Sequence, residues 1–403
     1  MTDTDRIKQV LTRGVEQVLP DVDSLVRLMT QRKIRVYLGI DPTGSELTLG
    51  HSVVLRKLQQ FADLGHEVIL LIGNGTVKIG DPTGKDATRP ELSDQAIEEN
   101  FKNWQTQASR VLDFDKITIK RNGDWLDQLK LPELIKLMAK STVGQLLERD
   151  MFQVRLTKNQ PIHTHELIYP LLQGYDSVVM DVDLEIGGND QLFNMMMGRH
   201  LLDVYKQKPK WVLTTPIING LDGRKMSKSY HNYVALTENP QDMYGKLMST
   251  SDDQIITYFE LLTDVPAGEV KAMQQAMEDG QNPMDFKKRL ALTITAQYHT
   301  QKIALASEIN FEKTVQKSQL PIDMPTIAVS DNTPILEVLK VCAPDLSSSQ
   351  LRRLVTEGAI EFFPTHQKPT DINQPIDLSQ VTTIRVGKRR YFNLFDKDRQ
   401  LNK

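Results

Sequence analysis

The chain has 403 residues, and its 49 Lys and Arg against 52 Asp and Glu leave a net charge of −3; at roughly 150 residues per domain it holds two to three domains with cores of their own. With 39% hydrophobic residues, 25% charged residues and 1 cysteine, the composition excludes collagen-like or disordered sequence, an intrachain disulfide and a cysteine-built zinc site. No apolar run nears the roughly 18 residues that a membrane span needs, and Asp3, Asp5, Arg6, Lys8, Arg13 and Glu16 interrupt the start, so neither a secretory leader nor an acid-poor transit peptide is expected and the expected location is cytoplasmic.

From Arg35 to about Asn219, short β-branched runs alternate with stretches of helical period, the pattern of a parallel sheet covered by helices. Strands are expected at Arg35–Ile40, Glu67–Gly73, Ile117–Lys120, Ser177–Ile186 and Lys210–Ile218. Helices are expected at His51–Leu64, at Ser93–Leu112 with Ser93 as N-cap, and at Asp190–Lys206. Between Trp125 and Thr164 lies a helical insertion rich in Leu129, Leu131, Leu134, Ile135, Leu137 and Met138. Beyond Asn239-Pro240, the segments Gln241–Leu262, Ala267–Met277 and Met284–Ser307 carry i, i+3, i+4 apolar spacing. Pro321, Pro325 and Pro334 then mark a linker. The expected organisation is an α/β domain over 1–235, an α-helical domain over 236–320 and a small α+β domain over 331–403.

Two segments carry the chemistry. Tyr37-Leu-Gly-Ile-Asp41-Pro-Thr43-Gly-Ser-Glu-Leu-Thr48-Leu-Gly50-His51 reads as a strand, a Gly/Pro turn and a helix start. Free N–H groups and the positive end of the helix dipole there suit a phosphate, Gly50 lets backbone approach a flat ligand, and His51 falls beside the phosphates. Alone, the segment is equally a helix start with turn glycines. Lys225-Met-Ser-Lys228-Ser229 places two lysines three apart in a polar loop, a movable cation clamp for charge that grows on a phosphate; alone, it is a solvated loop. At opposite ends of one α/β domain, the pair is poorly explained by coincidence.

Other patterns are weaker. Gly80-Asp-Pro-Thr-Gly84-Lys85 is not a Walker loop, because three residues separate its glycines and Asp86 follows the lysine. No G-x-G-x-x-G follows a strand, which leaves a nicotinamide dehydrogenase unsupported. His163-Thr-His165-Glu166 lacks a distant third ligand, so no protein-bound metal is expected, and Met195-Met196-Met197 reads as helix packing. Tyr169, Gln173 and Asp176 stand at i, i+4 and i+7, one helix face, and point to a shared pocket.

The two chemistry-bearing segments resemble the HIGH and KMSKS signatures of class I aminoacyl-tRNA synthetases, the second letter for letter. Gly80-Asp81-Pro-Thr-Gly-Lys85-Asp-Ala-Thr-Arg89, Tyr169-Pro-Leu-Leu-Gln173-Gly-Tyr-Asp176 and Gly187-Gly-Asn-Asp190-Gln191 narrow the resemblance to the tyrosyl-tRNA synthetase family. It implies a Rossmann-like catalytic domain with the insertion at about 125–164, a helical anticodon-binding domain and an S4-like RNA-binding tail. The implied reaction joins tyrosine and ATP into tyrosyl-adenylate and pyrophosphate, then passes the tyrosyl group to tRNA(Tyr); Mg²⁺ would arrive with ATP, and no prosthetic group is implied. By position, Tyr37 and Asp176 would meet the phenol, Asp81, Tyr169 and Gln173 the ammonium, Gln191 the carboxylate and Asp190 the ribose. Asp41, Gly50 and His51 would contact ATP, with Thr43, Thr48, Lys225, Lys228, Lys85 and Arg89 acting on its phosphates. One departure stands out: Thr48 occupies the place of the family's first signature histidine, and a neutral, shorter donor replaces it only in part. Ser347–Ile360 and Ile384–Phe392 resemble an S4 domain, implying RNA contacts by Arg352, Arg353, Lys388, Arg389 and Arg390. The family also implies a homodimer formed through the insertion. The rival readings are a tryptophanyl-tRNA synthetase and a non-catalytic RNA-binding protein on a synthetase scaffold.

Overall fold

The apolar, β-branched runs pair as their alternation with helices requires. In the computed structural model, which describes residues 2–83, 92–224, 226, 230, 232–313, 320, 324–387 and 390–399, strands β1 (Gln17–Leu19), β2 (Arg35–Ile40), β3 (Glu67–Ile72), β4 (Ile117–Arg121), β5 (Leu184–Gly188) and β6 (Trp211–Thr215) form one sheet in the order β1-β6-β5-β2-β3-β4. Strands β2 to β6 run parallel and the short edge strand β1 joins antiparallel, Val18 opposite Leu213. Every residue of β6 is buried, as in a sheet covered on both faces. From β2 the chain builds outward through β3 to β4, then returns to add β5 and β6 on the other side. The order therefore reverses between β2 and β5, where Val36 pairs with Leu184 and Leu38 with Ile186. Such a reversal opens a crevice beyond the strands' carboxyl ends, the usual ligand position in open α/β sheets.

Two expected boundaries change for physical reasons. The run Ser177–Ile186 is not one strand: a helix spans Thr164–Met180, Asp181 ends it in the left-handed region with φ of 51°, and β5 starts only at Leu184. Ser177, Val178 and Val179 have strand propensity, but packing of this helix on the helix Leu192–Lys206 overrides it. The two backbones touch at Gly174 and Gly198, where a Cβ on Gly174 would lie 3.1 Å from the Gly198 nitrogen. Likewise Gln241–Leu262 divides into the helices Pro240–Leu247 and Ile255–Leu262, and Met284–Ser307 divides at His299 into Pro283–Tyr298 and Gln301–Phe311. Ser93 caps the helix Asp94–Ala108 by accepting from the Ala96 N–H.

Within the insertion, helices Leu131–Met138, Val143–Leu147 and Asp150–Thr157 follow one another. Their Leu137 and Leu146 pack in one cluster with Leu171, Leu172 and Leu201. Leu131, Ile135 and Met138, at i, i+4 and i+7, stay 70%, 55% and 39% exposed. Among the described residues no helix is long and apolar enough to cross a membrane.

The chain divides into two units, one of Met1–Asn239 with Lys246–Thr300, the other of Pro240–Gly245 with Gln301–Lys403. Of the helices beyond the sheet, Ile255–Leu262, Ala267–Glu278 and Pro283–Tyr298 belong to the first unit and Gln301–Phe311 to the second. The second unit holds strands β7 (Thr326–Val329), β8 (Ile360–Phe363), β9 (Thr383–Val386) and β10 (Arg390–Asp396) in the order β7-β10-β9-β8. Its sheet thus takes in residues ahead of the start expected near Asp331. Helices Ile335–Cys342 and Ser348–Thr356 pack on it through Val338, Leu339, Leu351 and Val355 against Ile360 and Ile384.

Candidate active site

The loop after β2 is stapled before it reaches the helix Leu49–Asp63. Leu47 N–H donates to Oε1 of Gln107 at 2.7 Å, Gln107 Nε2 donates to the Ser45 carbonyl at 2.7 Å, and Asn100 Nδ2 donates to the Pro42 carbonyl at 3.0 Å. Thr48 then caps the helix. Its backbone N–H donates to Nδ1 of His51 at 3.1 Å, and its Oγ1 stands 2.9 Å from the same nitrogen. A backbone N–H only donates, so Nδ1 accepts and the ring proton of neutral His51 sits on Nε2. The ring leans on Trp104, with centroids 5.9 Å apart.

The second signature is tied to the first by backbone. Leu49 N–H donates to the Val234 carbonyl at 3.0 Å and Leu236 N–H to the Leu47 carbonyl at 2.9 Å, with Thr48 bridged to Ala235. At the loop's stem, Leu221 N–H donates to the Asn232 carbonyl at 3.0 Å, and Asn232 Nδ2 donates to Asp222 at 2.8 Å. Hydrogen bonds from Asn232 and Arg224 hold the Asp222 carboxyl down at about 2. A Cβ on Gly220 would lie 2.3 Å from the Asn232 side chain, and one on Gly50 would lie 3.3 Å from Sδ of Met226. Glycine is needed at Gly220 for this stem to close. Lys225 and Lys228 themselves lie outside the described residues, as do Lys85, Arg89, Lys388 and Arg389.

A cavity of about 240 Å³ opens where the strand order reverses, against the ends of β2 and β5. Asp41, Thr43, His51, Asp81, Gln191, Tyr169, Gln173, Asp176 and Glu185 are among the residues that line it. Three of their donors are turned onto carboxylates of the same lining. Tyr169 Oη donates to Asp41 at 2.8 Å, Gln173 Nε2 to Glu185 at 3.1 Å and Gln191 Nε2 to Asp81 at 2.8 Å. Burial, and then Asp41, raise the Tyr169 phenol well above its ordinary value, so it stays protonated and keeps donating. Tyr169 has only oxygen left for the cavity, and Gln173 has its amide oxygen beside one N–H. Asp81 is oriented further by Thr83, whose N–H and Oγ1 donate to it at 2.9 and 2.6 Å. Deeper in, Asp176 accepts from Trp125 Nε1 at 2.8 Å and Asn122 Nδ2 at 3.2 Å. Burial pushes its carboxyl well above the usual range, and these two bonds oppose the shift.

Several expected residues stand elsewhere. Tyr37 has no exposure and lies behind the cavity wall, its Oη 2.8 Å from Ser177 Oγ. Asp190 lies exposed in the turn Asn189–Gln191 after β5. In the second unit, Arg353 pairs with Glu357 at 2.7 Å, Arg390 makes two bonds to Asp345 at 2.7 and 2.9 Å, and Arg352 is exposed. Glu166 is paired with Arg155 and accepts from the His163 N–H. Among the described residues no group of three His, Cys, Asp or Glu is placed to hold a metal ion. Met195 packs as a helix residue and also lines the cavity. Sequence reading missed Thr76, Asn122, Trp125 and Glu185. Only the position of Thr76 and Asn122 just past two strand ends hinted at them.

A model of the family described as tRNA synthetases class I (W and Y) matches residues 29–316. A tyrosine–tRNA ligase of Moorella thermoacetica is 42% identical over 96% of this chain and 95% of its own, and one of Thermotoga maritima is 41% identical over 98% of both. The chain belongs to the tyrosine–tRNA ligase family. The class I fold agrees: a tyrosyl-tRNA synthetase of Archaeoglobus fulgidus, solved with L-tyrosine, is 23% identical and superposes with a TM-score of 0.63 over 76% of this chain and all of that one. Within the tyrosine–tRNA ligase family, the Thr48 of this chain acts on the second signature histidine through two bonds to one nitrogen. His51 is therefore expected to be the Nε2–H tautomer. Nitrogen-15 shifts of histidine-labelled protein, with His51→Gln to assign the signal, will show a pyrrole-like Nε2; a pyrrole-like Nδ1 would contradict the capping geometry.

Proposed function

We propose that this cavity is where the chain, a tyrosine–tRNA ligase, joins tyrosine to ATP as tyrosyl-adenylate, releasing pyrophosphate, before it passes the tyrosyl group to the 3′ end of tRNA(Tyr). The observation that carries the reading is the commitment of donors to neighbouring carboxylates: Tyr169 to Asp41 and Gln173 to Glu185. With Asp81, the cavity then offers a phenol oxygen, an amide oxygen and a carboxylate, three acceptors for the three N–H bonds of an ammonium group. At the other end, Asp176 accepts a phenol O–H. A phenylalanine ring would leave that buried carboxyl with only its bonds from Trp125 and Asn122, short of one donor and without water in its place. Gln191 and Asp190 serve the carboxylate and ribose sides.

Activation needs alignment and charge stabilisation more than a nucleophilic side chain, because the tyrosine carboxylate itself attacks the α-phosphate in line. The N-terminus of the helix Leu49–Asp63 supplies oriented N–H groups, Gly50 keeps the approach open, and Thr43 and the Nε2–H of His51 add donors. Asp41 belongs to the same ATP-facing wall. Thr48 works indirectly by holding the His51 ring. Lys225 and Lys228, with Lys85 and Arg89, supply cations as charge moves onto pyrophosphate, and Mg²⁺ comes with ATP, held chiefly by its phosphates.

For tRNA, the helical domain over 236–320 would take the anticodon side and the S4-like tail over 331–403 would add Arg352, Arg353, Lys388, Arg389 and Arg390. The exposed stripe of Leu131, Ile135 and Met138, with Val143 62% exposed beside it in sequence, supports a homodimer through the insertion, since contiguous apolar surface of this kind is normally covered.

Pyrophosphate exchange into ATP is expected with tyrosine and not with tryptophan or phenylalanine; exchange driven by tryptophan, or by none of the three, would overturn the assignment. Native mass is expected to give two chains at micromolar concentration and one chain for Leu131→Asp/Ile135→Asp. A wild-type monomer would remove the dimer.

A further inference from the structure

Behind the cavity lies a second polar layer. Lys210, next to β6, has no solvent exposure. Its ammonium donates to Ser177 Oγ at 2.8 Å, to the Met195 carbonyl at 3.1 Å and to the carboxylate of Glu185. Three N–H bonds meet three acceptors, so the group is fully satisfied only as the cation. Glu185, also buried, spends its other oxygen on Nε2 of Gln173. Ser177 in turn stands 2.8 Å from the hydroxyl of Tyr37, and Lys210 Nζ sits 5.7 Å from the centre of the Tyr37 ring. A single buried cation thus reaches Gln173 in the cavity lining and Tyr37 behind it through one intermediate each.

The fold makes room for this cluster at a helix-interior glycine. A Cβ on Gly198 would lie 2.4 Å from Lys210 Nζ, 2.8 Å from Ser177 Oγ and 3.3 Å from Glu185 Oε2. Glycine is disfavoured inside a helix relative to alanine, and a buried ion pair is seldom more stabilising than apolar residues of the same volume. Gly198 also serves the close packing of its helix on Gly174, but the buried ion pair is not explained by stability, whereas a task in the adjoining cavity explains it.

We propose that Lys210 is a positioning residue for amino acid specificity: through Ser177 it holds the Tyr37 hydroxyl that backs the phenol end, and through Glu185 it keeps the Gln173 amide turned with its oxygen toward the ammonium end. The proposal rests on the tyrosine reading above. Ser177 Oγ accepts from Lys210 and shares a hydrogen bond with Tyr37 Oη in which either oxygen can donate. Remove the cation and Ser177 loses the bond that fixes it, while Glu185 becomes a buried anion without a counter-charge that takes up a proton or draws in water. Either change blurs the difference between a phenol and a plain benzyl ring.

The test compares wild type with Ser177→Ala, Lys210→Met and the charge-neutral double variant Lys210→Met/Glu185→Gln, measuring tyrosine- and phenylalanine-dependent pyrophosphate exchange and the thermal midpoint of each. Lys210→Met is expected to lower the midpoint and the double variant to restore it. Even so, Ser177→Ala and the double variant should lower the tyrosine-to-phenylalanine ratio of kcat/KM by roughly tenfold or more, the worth of one hydrogen bond to a charged group, with kcat at saturating tyrosine nearly kept in Ser177→Ala. Folded variants with the wild-type ratio would overturn the proposal, and if the Lys210 variants do not fold, Ser177→Ala decides alone. A wild-type protein with no tyrosine-dependent exchange would instead sink the tyrosine reading, a result separate from wild-type discrimination that survives every substitution.

Discussion

Three side chains of the cavity turn their donors onto carboxylates of the same lining, and the rest of the site depends on that constraint. Tyr169, Gln173 and Gln191 each turn an N–H or O–H toward Asp41, Glu185 or Asp81, so the surface that a ligand meets is rich in oxygen. Buried acceptors with no donor are costly, and a ligand that brings an ammonium group at one end and a phenol O–H at the other satisfies them together. Selectivity of this kind needs no clash, because a ligand lacking either group leaves acceptors dry.

The backbone keeps this arrangement at the right place for chemistry. Reversal of strand order between β2 and β5 opens the crevice, and the contact of Gly174 with Gly198 brings the helix that carries Tyr169, Gln173 and Asp176 against its neighbour. The helix Leu49–Asp63 faces the same crevice with its N-terminus, where phosphates are stabilised. Antiparallel pairing of Leu47–Leu49 with Val234–Leu236 ties the two signature segments into one unit. A loop that must bring cations to a phosphate therefore starts and ends on the element that holds the phosphate.

Much of this was legible from residue order because it obeys local periodicity. Tyr169, Gln173 and Asp176 share a face by helical spacing alone, and Asp41, Thr43 and His51 share a loop between a strand and a helix. Residues that act by supporting a carboxylate escaped notice: Thr76 and Asn122 sit past different strands, and no spacing links them to Asp41 or Asp176. Lys210 was legible only as the first residue of an expected strand, since burial against Glu185 and Ser177 is a tertiary fact. The β-branched Val178 and Val179 read as strand because propensity speaks before packing does, and β1 is too short to show a period. Thr48 stood out only as a missing histidine, whereas its bond to His51 gives it a positive task.

The acceptor-rich cavity is tested most directly by calorimetric titration of the free protein with tyramine, which keeps the ammonium and phenol but lacks the carboxylate, beside 3-(4-hydroxyphenyl)propionate, which lacks only the amine. The account predicts measurable binding of tyramine and none of the deaminated acid at the same concentration. Binding of the acid with no binding of tyramine would contradict it.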